Sequence, residues 1–321
     1  MGKMVDGRWL TDEDMDSAPQ GAWERAESKL RHWITPTGAP GPAGGDGFMA
    51  MAGRYHLFAA WNCPWAHRAL LTRKLKGLDR LINVSFVAPR RTDQGWIFDR
   101  EQGYADHLFG ASALHEIYAR GAHNYSGRAT VPVLFDKQTD RIVSNESAEI
   151  VRMLGSAFDA IGANTLDLYP EPLRDQIDAW NDLIYTTLNN GVYRAGFATD
   201  QRRYEEAARG VFSTLEIIEE QLARTRYLCG NAITEADIRL FPTLTRFDVG
   251  YYSAFKCNQK RLTDYPHLWD YARAFYALPG VSETVDFEIY KRGYHSPNPN
   301  RNPHGIVPVG PDIDWTEPHQ R

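Results

Sequence analysis

Asn62-Cys63-Pro64-Trp65-Ala66-His67-Arg68 is the stretch of this chain best suited to chemistry. It follows the apolar run Tyr55 to Trp61 and opens a segment, Ala66 to Lys76, with helical spacing and basic residues. A cysteine there stands where a strand ends and a helix begins, and Pro64 suits the first helical turn. Unpaired N–H groups and the positive end of the helix dipole favour a thiolate at such a point. Ala66 fills the fourth position of a would-be Cys-x-x-Cys, so no resolving cysteine sits beside the first. Cys63 therefore reads as a monothiol nucleophile that takes its second thiol from outside. Cys229 in Tyr-Leu-Cys-Gly and Cys257 in Phe-Lys-Cys-Asn lack this setting and read as small buried hydrophobes. His67, one turn past Cys63, reads as part of the basic helix rather than as a metal ligand or general base.

The elements around Cys63 follow from local pattern. Tyr55–Ala60 reads as a strand, Pro64–Lys76 as a helix stopped by Gly77, and Ile82–Ala88 as a second strand, which makes a parallel strand–helix–strand unit. Residues 89–126 are too long for a simple connection and read as a specialised insert, with a short helix over Ser112–Ala119. Thr130–Phe135 and Arg141–Val143 then form a hairpin around Asp136–Asp140, and Ser144–Ser147 caps a helix over Ala148–Leu154. This order is thioredoxin-like. Residues 1–50, rich in Gly, Pro and charge, read as an irregular arm that packs through Trp9, Trp23 and Trp33, so the first domain spans 51–155. Beyond it, Leu173–Asn190, Gln201–Arg224, Glu235–Val249 and His267–Ala277 carry apolar residues at three- and four-residue spacing. A helical domain over 165–290 follows, with Thr234–Asp237 as a capping box and residues 291–321 as an irregular tail packing back. The fold class is α/β plus all-α.

Composition narrows the function. The 321 residues carry a net charge of −5 without a long run of either sign, which argues against nucleic acid as a partner. Three scattered cysteines are too few for a disulfide framework and suit a reducing compartment. Met1 to Gly7 lacks the apolar core of a signal peptide, Asp6 stands where a myristoylation signal needs Ser or Thr, and no apolar run matches a bilayer. A cytoplasmic protein without membrane contact is expected. No Cys/His cluster has zinc spacing, and neither a Gly-rich phosphate loop nor a Gly-x-Ser-x-Gly elbow is present.

Val131-Pro132 and Glu146-Ser147, set in this layout, resemble the cytosolic glutathione transferases. Cys-Pro-Trp-Ala-His-Arg resembles their cysteine-type branch, near the omega class. Gln94-Gly95-Trp96, Asn190-Gly191-Val192-Tyr193-Arg194-Ala195-Gly196-Phe197, Lys256-Cys257-Asn258 and the Gly305-Ile306-Val307-Pro308 tail narrow it further. Together, over about residues 50 to 311, they resemble the glutathionyl-hydroquinone reductases, or xi class.

The resemblance implies glutathione as co-substrate and no metal. The backbone of Val131, ahead of a cis Pro132, would pair with the cysteinyl part of glutathione as an added strand. Glu146 would take the γ-glutamyl amine, and Ser147 with the helix N-terminus its carboxylate. Trp96 and Arg128 complete that pocket by resemblance. Read without the family, Glu146-Ser147 is also the pattern of ordinary helix capping. Tyr193, Tyr252 and Tyr294 fall on positions implicated in holding the hydroquinone, although Tyr251 stands beside Tyr252 and either could face inward. Cys63, Tyr193 and Tyr294 are the expected catalytic residues, in a homodimer. The implied reaction is reductive removal of glutathione from a glutathionyl-hydroquinone through a Cys63–glutathione mixed disulfide, releasing oxidised glutathione. Three other readings stay open: an omega-like thiol transferase or dehydroascorbate reductase, a non-catalytic aromatic-ligand-binding homologue, and a cysteine-based hydrolase.

Overall fold

The apolar run ahead of Cys63 becomes an inner strand of a four-stranded mixed sheet in the computed structural model, which describes residues 2–11, 23, 25–42 and 44–321. These residues divide into two units: 2–11 with 26–166, and 23 and 25 with 167–321.

The first unit starts with four short strands, β1 (Lys3–Val5), β2 (Arg8–Leu10), β3 (Trp33–Thr35) and β4 (Gly47–Met49). The arm expected to be irregular is thus partly strand: β1 pairs with β2 and β3 with β4, and further backbone bonds tie it to segments far along the chain. Met4 and Gly127 exchange hydrogen bonds of 2.8 and 3.0 Å, and the His32 N–H donates to the Val143 carbonyl at 2.9 Å. Strand β5 (Tyr55–Ala59) is buried along its whole length, as aromatic and aliphatic residues flanked by strands on both sides demand. Helix α1 (Pro64–Leu75) crosses to β6 (Asn83–Phe86), which lies parallel to β5. The insert holds a small hairpin, β7 (Arg91–Thr92) and β8 (Gly95–Trp96), and helix α2 (Leu114–Gly121). Strands β9 (Val133–Asp136) and β10 (Arg141–Ser144) then add antiparallel to give the order β10-β9-β5-β6, and α3 (Ser147–Ser156) packs against α1. Asp136, fully buried, accepts two hydrogen bonds of 2.7 Å from Arg54 and so locks the start of β5 to the end of β9. This is the thioredoxin-like unit.

The second unit is helical: α4 (Arg174–Leu183), α5 (Gly191–Phe197), α6 (Gln201–Leu222), α7 (Glu235–Arg246), the short α8 (Tyr252–Ala254), α9 (Pro266–Tyr276) and α10 (Phe287–Tyr294). Two of the expected helices do not hold α-helical spacing to their ends. Helix α4 passes into a π-turn over Ile184–Asn189, and α7 into one over Phe247–Tyr251. At Thr234 the expected box forms, with the Asp237 carboxylate accepting the Thr234 N–H at 2.8 Å. The tail beginning at 291 needs correction. Helix α10 runs through Tyr294, capped by the Asp286 carboxylate on the Ile289 N–H at 2.8 Å. Further on, Trp315 is buried against Trp269 and Phe287, with ring centroids 4.9 and 5.0 Å apart. Among the described residues no helix is long and apolar enough to cross a membrane.

Candidate active site

In the thioredoxin-like unit, Cys63 is the N-cap of α1, in extended conformation, with Pro64 at the first helical position. Its carbonyl accepts the His67 N–H at 3.0 Å and its thiol faces the Val131 carbonyl, with Sγ 3.6 Å from that oxygen. The Val131–Pro132 peptide is cis. The junction read from sequence therefore brings Cys63 and Val131 together.

Glu146 and Ser147 start α3. The Glu146 carboxylate caps the helix by accepting the Ala148 N–H at 3.0 Å, and also accepts the Ser147 hydroxyl at 3.4 Å. Ser147 is fully buried, and its hydroxyl accepts a hydrogen bond from Arg68 at 3.4 Å. Arg68 comes from α1 and is itself buried, so the helix is not basic on an open face as its composition suggested. Its first two turns are enclosed, and Arg68 instead ties the helix bearing the thiol to the helix start that carries Glu146. Only its place in the Cys-Pro-Trp-Ala-His-Arg block hinted at this.

Trp96 is buried on the β7–β8 hairpin within the unit's hydrophobic core, with the Arg91 guanidinium 4.6 Å from its ring centroid. Arg128 lies in the stretch leading to Val131, and its carbonyl accepts the Tyr125 hydroxyl at 2.9 Å. These contacts tie Trp96 to the core and Arg128 to the insert, whereas the thiol's hydrogen bond goes to Val131.

The helical unit carries a chain of phenol hydroxyls. Tyr294, at the end of α10, lies 2.9 Å from the Tyr193 oxygen and 3.0 Å from the Tyr251 oxygen. Tyr252, on α8, lies outside this chain and is partly exposed. Of the two adjacent tyrosines, Tyr251 is the one whose hydroxyl is bonded to Tyr294. The π-turn over Phe247–Tyr251 adds a residue to the helical spacing, which moves Tyr251 onto the face toward Tyr294. Gly250 permits the approach: a Cβ there would come within 2.6 Å of the Tyr294 ring. Phe255 packs on all three tyrosines at centroid distances of 5.2 to 5.4 Å, and Trp23 stacks on Tyr193 at 5.4 Å. Burial pushes the Tyr251 and Tyr294 hydroxyls well above the usual phenol range, and the buried Arg246 guanidinium pulls only partly the other way. Both phenols thus stay protonated at neutral pH and can donate hydrogen bonds.

The remaining cysteines are placed differently from Cys63. Cys229 and Cys257 are buried, and burial pushes their thiols up to about 11 and about 12. Iodoacetamide added to the native protein at neutral pH should therefore label Cys63 alone, read as one adduct by peptide mass spectrometry. Earlier labelling of Cys229 or Cys257 would contradict the assignment. Among the described residues no group of three or more His, Cys, Asp or Glu is arranged to hold a metal ion.

Comparison with known proteins agrees with this architecture. The profile of the glutathione S-transferase N-terminal domain matches residues 62–157, and that of the C-terminal domain residues 201–274. The glutathionyl-hydroquinone reductase YqjG of Escherichia coli is 47% identical across 100% of this chain and 98% of its own length. The glutathionyl-hydroquinone reductase PcpF of Sphingobium chlorophenolicum is 44% identical across 97% of this chain and 96% of its own. The glutathione-bound structure of YqjG superposes with a TM-score of 0.91 at 46% identity, covering 100% of this chain and 99% of that one. A xi-class transferase from Natrialba magadii superposes at 0.89 with 43% identity, covering 100% and 96%. The chain belongs to the glutathione transferase family and, within it, to the xi-class glutathionyl-hydroquinone reductases.

Proposed function

We propose that this enzyme strips glutathione from glutathionyl-hydroquinones with Cys63 as the nucleophile and a second glutathione as the reductant. The observation that carries the reading is a thiol at the N-terminus of α1, facing Val131 beside a cis peptide, with Ala66 where a resolving cysteine would stand. The Cys63 thiolate attacks the sulfur of the bound conjugate. The sulfur–aryl carbon bond breaks, its electron pair stays on carbon, and a proton completes the free hydroquinone. This leaves a Cys63–glutathione disulfide. A second glutathione thiolate attacks the glutathione sulfur, giving oxidised glutathione and the free Cys63 thiolate. A cysteine at position 66 could divert that disulfide into an internal one, so its absence fits the scheme.

Val131 is assigned to the cysteinyl backbone of glutathione, Glu146 to its γ-glutamyl amine and Ser147 to its carboxylate, with Trp96 and Arg128 as further partners. The α3 N-terminus, with the positive end of its helix dipole, supports the carboxylate assignment. The phenols Tyr193, Tyr251 and Tyr294 are assigned to the hydroquinone oxygen and the protonation of the leaving carbon. An omega-like dehydroascorbate reductase would share Cys63 but would give the phenol chain no task. The family resemblance further suggests a homodimer, and three free cysteines suit the cytoplasm.

Incubation with a glutathionyl-hydroquinone and excess glutathione should yield free hydroquinone and oxidised glutathione in equal amounts. Quenched early, the protein should carry one glutathione on Cys63, seen by mass spectrometry. Conjugation of glutathione onto electrophiles without any release of hydroquinone would refute the reading.

A further inference from the structure

A tyrosine hydroxyl buried in a core must find partners, because leaving it unbonded costs more than one hydrogen bond contributes. Tyr118, on the insert helix α2, is fully buried and has such partners. Its hydroxyl donates to the Thr130 carbonyl at 2.8 Å and accepts the Thr130 N–H at 3.2 Å. It also accepts the Asn145 side-chain amide at 3.2 Å. Thr130 is the residue before Val131, and Asn145 the residue before Glu146. One hydroxyl therefore joins the two chain segments assigned to the cysteinyl and γ-glutamyl parts of glutathione.

The surrounding contacts act in the same direction. The Tyr125 ring packs on Tyr118 at 4.9 Å, and its hydroxyl holds the Arg128 carbonyl at 2.9 Å. Asn145 is held from its other side, since its Oδ1 accepts the Leu30 N–H at 3.2 Å and its own N–H donates to the Leu30 carbonyl at 3.1 Å. Both phenols come from residues 89–126, the insert that also carries Trp96.

We propose that Tyr118, supported by Tyr125, is a positioning residue for glutathione binding: the insert sets the spacing between the segment ending at Val131 and the segment opening at Glu146. Tyr118 acts through these segments rather than by touching the ligand. The inference rests on the assignment of Val131, Glu146 and Ser147 to glutathione. Tyr118→Phe keeps the ring but leaves the Thr130 carbonyl and the Asn145 amide without their partner. The two segments then lose their common anchor, and a ligand spanning both should bind less well.

S-Methylglutathione, which has no free thiol, is the probe, titrated calorimetrically into the wild-type enzyme and three variants. Tyr118→Phe should raise its Kd about tenfold. The KM for glutathione should rise with it, while kcat at saturation changes by less than about twofold, since only binding is weakened. Tyr55→Phe is the control, because the Tyr55 hydroxyl is a buried donor to the Met49 carbonyl in the same unit and makes none of these contacts. It should lower the melting temperature comparably and leave Kd unchanged. Equal Kd values in Tyr118→Phe and Tyr55→Phe would reduce Tyr118 to a general core residue and overturn the proposal. Tyr125→Phe should raise Kd about threefold, as it frees the Arg128 carbonyl but leaves the Tyr118 hydroxyl in place. An unchanged Kd in that variant overturns the proposal even if Tyr118→Phe does not fold. Failure of the wild-type enzyme to bind S-methylglutathione would instead overturn the glutathione assignment, and this inference with it.

Discussion

Cys63→Ser should lower turnover of a glutathionyl-hydroquinone by at least about 10⁴-fold while the protein stays folded and still binds S-methylglutathione. The loss is large because the reaction passes through a sulfur–sulfur bond that serine cannot form. Stability should not fall with it. Cys63 is the N-cap of α1 and makes no side-chain capping bond, whereas serine is among the preferred N-cap residues. A change of under about 1 kcal/mol is expected, in either direction, so lost activity cannot be blamed on unfolding. Rates of hydroquinone release, with a melting curve and a calorimetric titration on the same sample, decide the point. Turnover within tenfold of the wild type would remove Cys63 from the mechanism.

The junction that carries this prediction was legible because its signals are local. An apolar run, a proline at the first helical position and Gly77 at φ 68° mark the strand end, helix start and helix stop within a short stretch. Glu146 was legible for the same reason, and it does cap α3. Other parts were hidden by distance along the chain. Strands of three residues are too short for their period to show. Strands β1 and β3 pair with β2 and β4, and bonds to Gly127 and from His32 to Val143 tie them to the rest of the unit. Tyr118 carries no local signal, because Thr130 and Asn145 come beside it only in the fold. Helix α10 was obscured by Gly293 and the Pro- and Asn-rich residues after it. At Tyr251 the difficulty was geometric, since a count at 3.6 residues per turn cannot follow the chain through a π-turn.

The second large effect concerns how the departing aryl carbon receives its proton. Tyr294 stands between Tyr193 and Tyr251, so Tyr294→Phe breaks both hydroxyl contacts at once. It should lower kcat by about 10²–10³-fold, within the range for loss of a positioned general acid. Tyr193→Phe and Tyr251→Phe each remove one end of the chain and should cost less, whereas Tyr252→Phe should stay within about twofold of the wild type. Burial raises the Tyr251 and Tyr294 pKa values, so these phenols keep their protons across the physiological range. The deficit of Tyr294→Phe should accordingly be the same at pH 6 and pH 8. Reduction of a small glutathione mixed disulfide provides the internal control, because it uses Cys63 but expels no carbon leaving group. That rate should be unchanged in Tyr294→Phe. If both substrates slow equally, the phenols support the thiol or the fold instead. A larger loss in Tyr252→Phe than in Tyr251→Phe would return the role to Tyr252.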